Sequence, residues 1–303
     1  MTSRPGPVIG FGDLIAAFRR FQKDEMSARA AALTYYSLLS LFPALLVGVA
    51  VLGFFGQEGL VRDAADYLKT AGAPPATVDA VASALESAQS ERGTALGALI
   101  LGLAIAFYGA SGAFGATGSA LNQVWRVQEG RGFVKHKLQT LAWTLVLMVL
   151  VLVTCVLVFL GGGLAGDVLG LIGFGDTAAA VWRIARWPAA LLSATLIYAI
   201  VYYAAPNVEI RHWKYITPGA VSGVALWIVA SAGFFVYVSS FSSYSATYGA
   251  FAAVVILLIW LWLTNSALLF GAELNAVVDQ RRAPNLPRGY DGPVLPPKKP
   301  ADA

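Results

Sequence analysis

The sequence predicts an all-α fold: a polytopic membrane bundle of six transmembrane helices, with an amphipathic N-terminal helix and a short extracytoplasmic helical insert. Three observations carry that prediction. Hydrophobic residues make up 57% of the 303 positions and charged residues 13%, about half the charged share of a soluble domain. The apolar residues gather into six long runs, Leu33–Phe55, Ala95–Leu121, Leu138–Leu164, Trp187–Ala205, Tyr215–Ser239 and Ala250–Ala272. A hydrocarbon core of about 30 Å takes about 20 residues at ~1.5 Å rise each, and every run meets or nearly meets that length. The basic residues, finally, concentrate in alternate connections.

Residues 1–32 read as an amphipathic segment on the cytoplasmic side. Phe11, Leu14, Ile15, Phe18 and Phe21 recur at helical spacing, and Asp13, Arg19, Lys23 and Asp24 take the other face. That pattern suits a helix lying in the membrane interface, or one packed on the ends of the bundle. Residues 1–30 lack the pattern of a cleavable signal peptide, so the first span is read as its own insertion signal.

The first span opens Arg29-Ala-Ala-Ala-Leu-Thr-Tyr-Tyr-Ser-Leu-Leu-Ser-Leu-Phe-Pro43. At about 100° per residue, Arg29, Tyr36, Ser40 and Pro43 fall within about 60° of one another. A polar stripe of this kind is expected to face the bundle or a cavity. It would line a pathway, or it would tie helices together with hydrogen bonds and a proline kink.

The segment 58–92 is the one sizeable insert. Leu60, Val61, Ala64, Ala65 and Leu68 form a helical stripe, Gly72-Ala-Pro-Pro75 breaks it, and Thr77 can cap a second helix carrying Val78, Val81 and Leu85. The second span then brings Gly109, Gly112, Gly115 and Gly118, three apart. In a helix this row drifts about 60° per step. It permits close backbone approach, or marks a locally unwound stretch lining a cavity. Asn122 and Trp125 are read as marking the cytoplasmic interface. The lone Cys155 sits in the third span as a small hydrophobe, which leaves no disulfide framework and no thiolate metal site.

Pro206-Asn207 terminates the fourth span, and Pro218 falls in the first turn of the fifth, where a missing N–H costs little. Tyr244, Tyr248 and Gly249 are expected in an outer loop before the last span. That span ends Asn265-Ser-Ala-Leu-Leu-Phe-Gly-Ala-Glu273-Leu-Asn275, with Trp262, Ser266 and Glu273 on one face. A carboxylate continuous with an apolar helix must be paired, protonated or wet. Arg29 falls at the same depth, so an Arg29–Glu273 pair is expected. Residues 33–275 thus form the transmembrane domain, and 276–303, rich in Pro, Gly and Lys, read as a disordered cytoplasmic tail.

With the N-terminus inside, the inner segments hold sixteen of the 21 Lys and Arg. This bias places both termini in the cytoplasm. It also accounts for the pI near 9.2 without a nucleic-acid partner. Three spans followed by three would give halves of opposite orientation, but no internal sequence match joins them.

The ordered set Ala31-Ala-Leu-Thr-Tyr-Tyr-Ser-Leu-Leu-Ser-Leu-Phe-Pro43, Ala120-Leu-Asn-Gln-Val-Trp125, Ala205-Pro-Asn207, Gly219-Ala220, Tyr248-Gly249 and Gly271-Ala-Glu-Leu-Asn275 resembles the YihY/BrkB family of bacterial inner-membrane proteins, once labelled ribonuclease BN. The resemblance covers about residues 10–280. It implies a six-span inner-membrane protein with cytoplasmic termini, linked to envelope integrity through transport or lipid movement.

The ribonuclease label meets a chemical objection. Metal-dependent nucleases gather His or carboxylate ligands around one or two ions. This chain has two histidines, His136 and His212, in different connections and outside any ligand motif. Metal-free cleavage would need a positioned acid and base, and only His136 has basic neighbours. No Walker, nucleophile-elbow or zinc-protease motif is present. The expectation is therefore a non-enzymatic membrane protein without cofactor or metal. Its expected partners are membrane lipids and no nucleic acid, and the small-residue faces of the second and fifth spans, with Gly219 and Gly223, could pack within one chain or between two copies in a homo-oligomer. Two functions remain. A transporter or lipid translocator would use Arg29, Tyr36, Ser40, Pro43, Gly109, Gly112, Gly115, Asn122, Ser266, Glu273 and Asn275 as its pathway. A scaffold would use the same residues only to lock helices. A proton on Glu273 is the one coupling device in sight, which favours a passive or gradient-driven process over an ATP-driven one.

Overall fold

The computed structural model describes residues 9–55, 92–159, 176–208, 217–239 and 242–282. Within them the chain forms seven helices: α1 Phe11–Lys23, α2 Met26–Phe55, α3 Arg92–Val124, α4 Phe133–Phe159, α5 Asp176–Ala204, α6 Pro218–Ser239 and α7 Ser242–Arg282. The expected insert, save Arg92, and the tail from residue 283 lie outside the described residues.

Local chemistry sets the helix ends. Asp13 Oδ2 accepts the Gly10 N–H at 2.9 Å, one half of a capping box that starts α1. Glu25 then takes a left-handed φ of 52° and turns the chain into α2. The end of α3 is a Schellman turn: the Val127 N–H reaches the Asn122 carbonyl at 2.9 Å and the Arg126 N–H the Gln123 carbonyl at 3.1 Å. The left-handed residue at that turn is Arg126, with φ 58°, where glycine is the usual occupant. At the start of α6, Pro218 takes the first position and Thr217 Oγ1 caps the Ala220 N–H at 3.1 Å.

The helices pack in sequence, α2 on α3, α3 on α4, α4 on α5, α5 on α6 and α6 on α7, and α7 returns to α2. A closed circuit results. α1 packs chiefly on α7 and also meets α2. Among the described residues, five helices are long and apolar enough to cross a membrane, through Ile100–Val124, Phe133–Cys155, Ile184–Ala204, Pro218–Val238 and Val254–Arg281. α2 is helical over the whole first expected span, but its side chains beyond Ser40 lie outside the described residues.

Burial is uneven. The core lies at the α1 end of the bundle, where Met26, Leu33, Leu121, Val124, Trp125, Tyr202, Val208, Leu269 and Leu274 are buried together. Away from that end the helices expose a broad apolar surface, including Leu101, Val149, Leu152, Ile184, Val229 and Phe235. A bundle that is apolar outside and holds its polar residues inside is built for lipid.

Three expectations need correcting. Tyr244, Tyr248 and Gly249 are helical residues of α7 rather than a loop. α7 also continues to Arg282, and Ala276 and Val278 are buried, so the bundle extends beyond residue 275. Asn122 and Trp125 are buried in the core instead of anchoring an interface, because the α3 turn folds them under the following connection.

Candidate functional site

The polar residues of the α1 end form two linked networks. The first centres on Glu273, whose side chain is fully buried. Arg20 of α1 donates Nε to Glu273 Oε2 at 3.1 Å, Nη1 to Gln280 at 3.2 Å and Nη2 to the Val124 carbonyl at 3.0 Å. One guanidinium thereby joins α1, α3 and α7, a use that suits the forked donor set of arginine. Arg126 donates one nitrogen to both oxygens of Asp24, at 2.8 and 3.1 Å. Asp24 is buried. Glu273 Oε1 is buried with no protein donor. Arg281 pairs with Asp13, and the Trp125 indole donates to Asp279 at 3.3 Å, which completes the attachment of α7.

The second network clips the ends of α3, α4 and α5. Arg131 grips Glu129 with Nε at 2.7 Å and Nη2 at 2.6 Å, and also donates Nη2 to the Ala205 carbonyl at 2.9 Å. Asn122 donates to Glu129 at 3.1 Å and accepts the Asn207 N–H at 2.6 Å, while Asn207 donates to the Gln128 carbonyl at 2.9 Å. Partial burial pushes the Glu129 carboxyl up, but the hydrogen bonds and charge of Arg131, with Asn122, outweigh it and hold the carboxyl below its ordinary value of 4.5. His136 lies 3.7 Å from Glu129. Among the described residues no group of three or more His, Cys, Asp or Glu gathers in a way that could hold a metal ion.

The candidate pathway residues divide by environment. Glu273 is paired by Arg20 and not by the expected Arg29. The reason is the break at Glu25, which brings α1 back onto α7 and delivers a nearer guanidinium. Ser40 packs against Gly109, where an added Cβ would lie 3.6 Å from the Ser40 backbone. Tyr36, on the flank of α2, is 40% exposed. Pro43 is helical, and its side chain lies outside the described residues. The glycine row winds around an unbroken α3: Gly109 meets α2, Gly112 meets open space, Gly115 meets Thr140 of α4 and Gly118 meets Ala205. Close approach is thus the local role of Gly118, whose added Cβ would lie 2.8 Å from the Ala205 carbonyl oxygen, while Gly109 and Gly115 leave room for an ordinary contact, and no unwinding accompanies the row.

Asn275 accepts the buried Gly219 N–H at 2.7 Å and donates to Thr217 at 3.1 Å. It holds the point where α6 and α7 touch backbone to backbone. A Cβ on Gly219 would run into the Gly271 carbonyl, and one on Gly271 into the Gly219 carbonyl and the Tyr202 hydroxyl. Ser266, two turns before Glu273 on the same face of α7, has a buried Oγ without a partner, and the Tyr198 hydroxyl of α5 is in the same condition.

Sequence reasoning singled out Glu273, Asn275, Ser266 and Asn122, but missed the contributions of Arg20, Asp24, Arg126, Glu129 and Arg131. Their signal was weak: charged residues beside an apolar span usually face water. Arg126 and Glu129 could be suspected only from their place just past a helix end, where a buried turn needs donors.

Comparison with known proteins agrees with the architecture. The chain is 30% identical over 270 residues to the putative ribonuclease-like protein YfkH of Bacillus subtilis, covering 88% of this chain and 94% of that one. It is 30% identical over 267 residues to a UPF0761 membrane protein of Rhodospirillum centenum, with 88% of this chain and 57% of that protein covered. A UPF0761 membrane protein of Pseudoalteromonas translucida is 28% identical over 273 residues, covering 87% and 85%. The chain therefore spans most of two of these relatives and little more than half of the third. No solved structure matches it. The family described as Virulence factor BrkB matches residues 17–291, nearly the whole bundle and its α1 strap, and this membrane protein belongs to that family.

Proposed function

We propose that this chain is a transporter of the cytoplasmic membrane, and that the cargo its interior suits best is a phospholipid moving between leaflets. The observation that carries the reading is the pair of orphaned buried polar atoms on one face of α7, Ser266 Oγ and Glu273 Oε1. A bundle that only had to hold together would satisfy its buried polar groups, because each unsatisfied one costs about 1–3 kcal/mol. Groups left without protein partners inside an apolar bundle are available to a polar cargo. Ser266 and Glu273 are the pathway core of this proposal, with Ser40, Tyr36 and Gly112 towards the α2–α3 side. Arg29, Pro43, Gly109, Gly115, Asn122 and Asn275 shape the bundle around it.

The test is reconstitution in liposomes carrying a fluorescent phospholipid, with leaflet exchange read by a membrane-impermeant quencher. Native protein should accelerate exchange severalfold over protein-free liposomes, and folded Ser266→Ala and Glu273→Gln should lose most of that gain. Exchange no faster than in protein-free liposomes would remove the lipid reading.

A scaffold reading has its own support. Polar pins join three of the neighbouring helix pairs, α2 with α7, α4 with α5 and α6 with α7: Asn265 to Thr34 and Ser37 at 3.3 and 3.4 Å, Thr154 to Ser193 at 2.8 Å, Trp227 to Thr264 at 3.1 Å and Trp260 to Ser231 at 3.2 Å. On that reading Ser266→Ala leaves the protein unchanged or stabilises it, and no exchange activity accompanies the native chain. The name of the Bacillus subtilis relative suggests a nuclease. The chemistry of the described residues does not favour it, since His136 sits beside a carboxylate already committed to Arg131.

A further inference from the structure

Lys137 stands apart from four arginines at its end of the bundle. Arg20, Arg126, Arg131 and Arg281 are each paired with a carboxylate. Among the described residues no carboxylate pairs with Lys137. It lies about one turn inside α4 and directs its amine at α3. Nζ donates to Ser111 Oγ at 3.2 Å and sits 4.7 Å from the centroid of the Tyr108 ring. The Ser111 hydroxyl is committed as a donor to the Tyr108 carbonyl at 2.7 Å, so it meets the amine as an acceptor. The face of the ring attracts the cation through its quadrupole. Neither partner carries a charge. An ammonium has three N–H donors, and Ser111 uses one of them. A full positive charge is thus held at the edge of an apolar bundle without a countercharge, and charges at membrane depth ordinarily pair.

The surroundings indicate what supplies it. At about 100° per residue, Lys137 falls on α4 between the buried Thr140 and Thr144 and the exposed Val134, Leu145 and Leu152. Tyr108 is 70% exposed and continues the exposed row of Leu101 and Ile105 on α3. Its hydroxyl has no protein partner among the described residues. A cation and a phenol therefore head the outer seam between α3 and α4, and apolar side chains run away from them along both helices. That arrangement matches a phospholipid, with its phosphate at the polar head of the seam and its acyl chains along the apolar sides. A zwitterionic headgroup brings its own ammonium, which competes for the phosphate. A lipid with a net negative headgroup supplies the missing charge, as at other basic pockets between transmembrane helices. We propose that Lys137 and Tyr108 form a site for the headgroup phosphate of an anionic phospholipid, seated on the outside of the α3–α4 seam. The site needs no pathway through the bundle and goes beyond the transport reading.

The experiment is native mass spectrometry of the full chain, freed of bound lipid in detergent and titrated separately with phosphatidylglycerol and phosphatidylcholine of the same acyl chains. The native protein should take up its first phosphatidylglycerol severalfold more tightly than phosphatidylcholine. Lys137→Gln, whose amide can still donate to Ser111, should bind the two lipids alike, and Lys137→Arg should keep the preference. Lys135→Gln removes the same charge from an exposed position on nearly the opposite side of α4 and should leave the preference unchanged. Tyr108→Leu alters an exposed ring, should weaken the preference, and serves in place of Lys137→Gln if that variant fails to fold. A native chain with no preference overturns the proposal without any variant. So does a preference that neither Lys137→Gln nor Tyr108→Leu lowers, and so does an equal loss in Lys135→Gln, which would mark general charge attraction. Displacement of phosphatidylglycerol by millimolar inorganic phosphate would mean that the site takes a soluble anion, and overturns the lipid assignment. Leaflet exchange does not enter this measurement, so its failure and the failure of the transport reading are told apart.

Discussion

Glycine 219 and glycine 271 decide how closely α6 and α7 meet. Each backbone carbonyl occupies the space in which the other residue's Cβ would stand. Gly219→Ala and Gly271→Ala should therefore each destabilise the bundle by about 1–3 kcal/mol, the usual cost of overpacking. Gly112 is the internal control. Nothing lies within 4 Å of its added Cβ, so Gly112→Ala should be neutral or stabilise α3 by about 0.5–1 kcal/mol. Thermal unfolding of the three variants in detergent checks the contrast. A Gly112→Ala variant less stable than Gly219→Ala would show that the α6–α7 contact is looser than described. At this scale the sequence was partly legible. The row of glycines three apart in α3 was visible, and Glu273 stood out as a carboxylate in an apolar run. Its partner was not visible, because helical periodicity assumes an unbroken helix. The left-handed turn at Glu25 replaces Arg29 with Arg20, and nothing in the residue types around Glu25 announces it.

Among the elements, α1 shows an unusual division of faces. Its polar side carries Asp13 and Arg20 onto α7, while Phe11, Ile15 and Phe18 are exposed. A helix that turns Asp13 and Arg20 inward and Phe11, Ile15 and Phe18 outward, with Phe21 packed on Phe270, has an apolar strip matched to lipid on its outer side. A bimane attached at Phe18→Cys, in a Cys155→Ser background, should be quenched by lipids carrying a spin label near the headgroup and protected from aqueous iodide. Strong iodide quenching would sink the assignment. Of the two sequence readings of this segment, the packing of α1 on α7 supports the bundle-packed one, and the bimane measurement tests the interfacial one. The α3–α4 connection offers a second element-scale test. The Glu129 carboxyl is held below 4.5 in the folded chain, so its clip on Arg131 and Asn122 contributes fully above that pH. The contribution is lost as pH falls through the depressed folded value, since the unfolded chain then takes up the proton more readily. Native protein should lose thermal stability over that acid window, and Glu129→Gln, weaker at neutral pH, should lose less. Parallel pH profiles for the two would show that the clip does not titrate. No residue pattern signals such a clip beforehand, because Ala205 and Asn207 at the end of α5 lie far along the chain from Asn122, Glu129 and Arg131.

For the whole molecule, the clearest expectation concerns which way it sits in the membrane. The structure brings Asp13 of α1 against Arg281 of α7, so the chain enters and leaves the bundle at one end. The same end carries Arg20, Lys23, Arg126, Arg131 and Lys137, whereas Arg186 lies near the far end of α5, against the Val158 carbonyl. This three-dimensional gathering of cations repeats the bias of the linear sequence, where sixteen of 21 basic residues fall in alternate connections. Cations adjoining membrane spans are retained on the cytoplasmic side during insertion. A fluorescent protein that matures only in the cytoplasm should therefore glow when fused to either terminus of the full chain. Alkaline phosphatase, active only outside, should stay inactive at both. The sharper arm moves the charge: replacing Arg131, Lys135 and Lys137 with Gln should leave the termini inside, because the N-terminal and C-terminal basic groups still outvote the outer segments. Termini on opposite sides would mean an odd number of crossings and would place α2, the helix whose side chains beyond Ser40 are not described, in question as a span. Both termini outside would reverse the bundle and put the Arg20–Glu273 pair at the opposite face of the membrane.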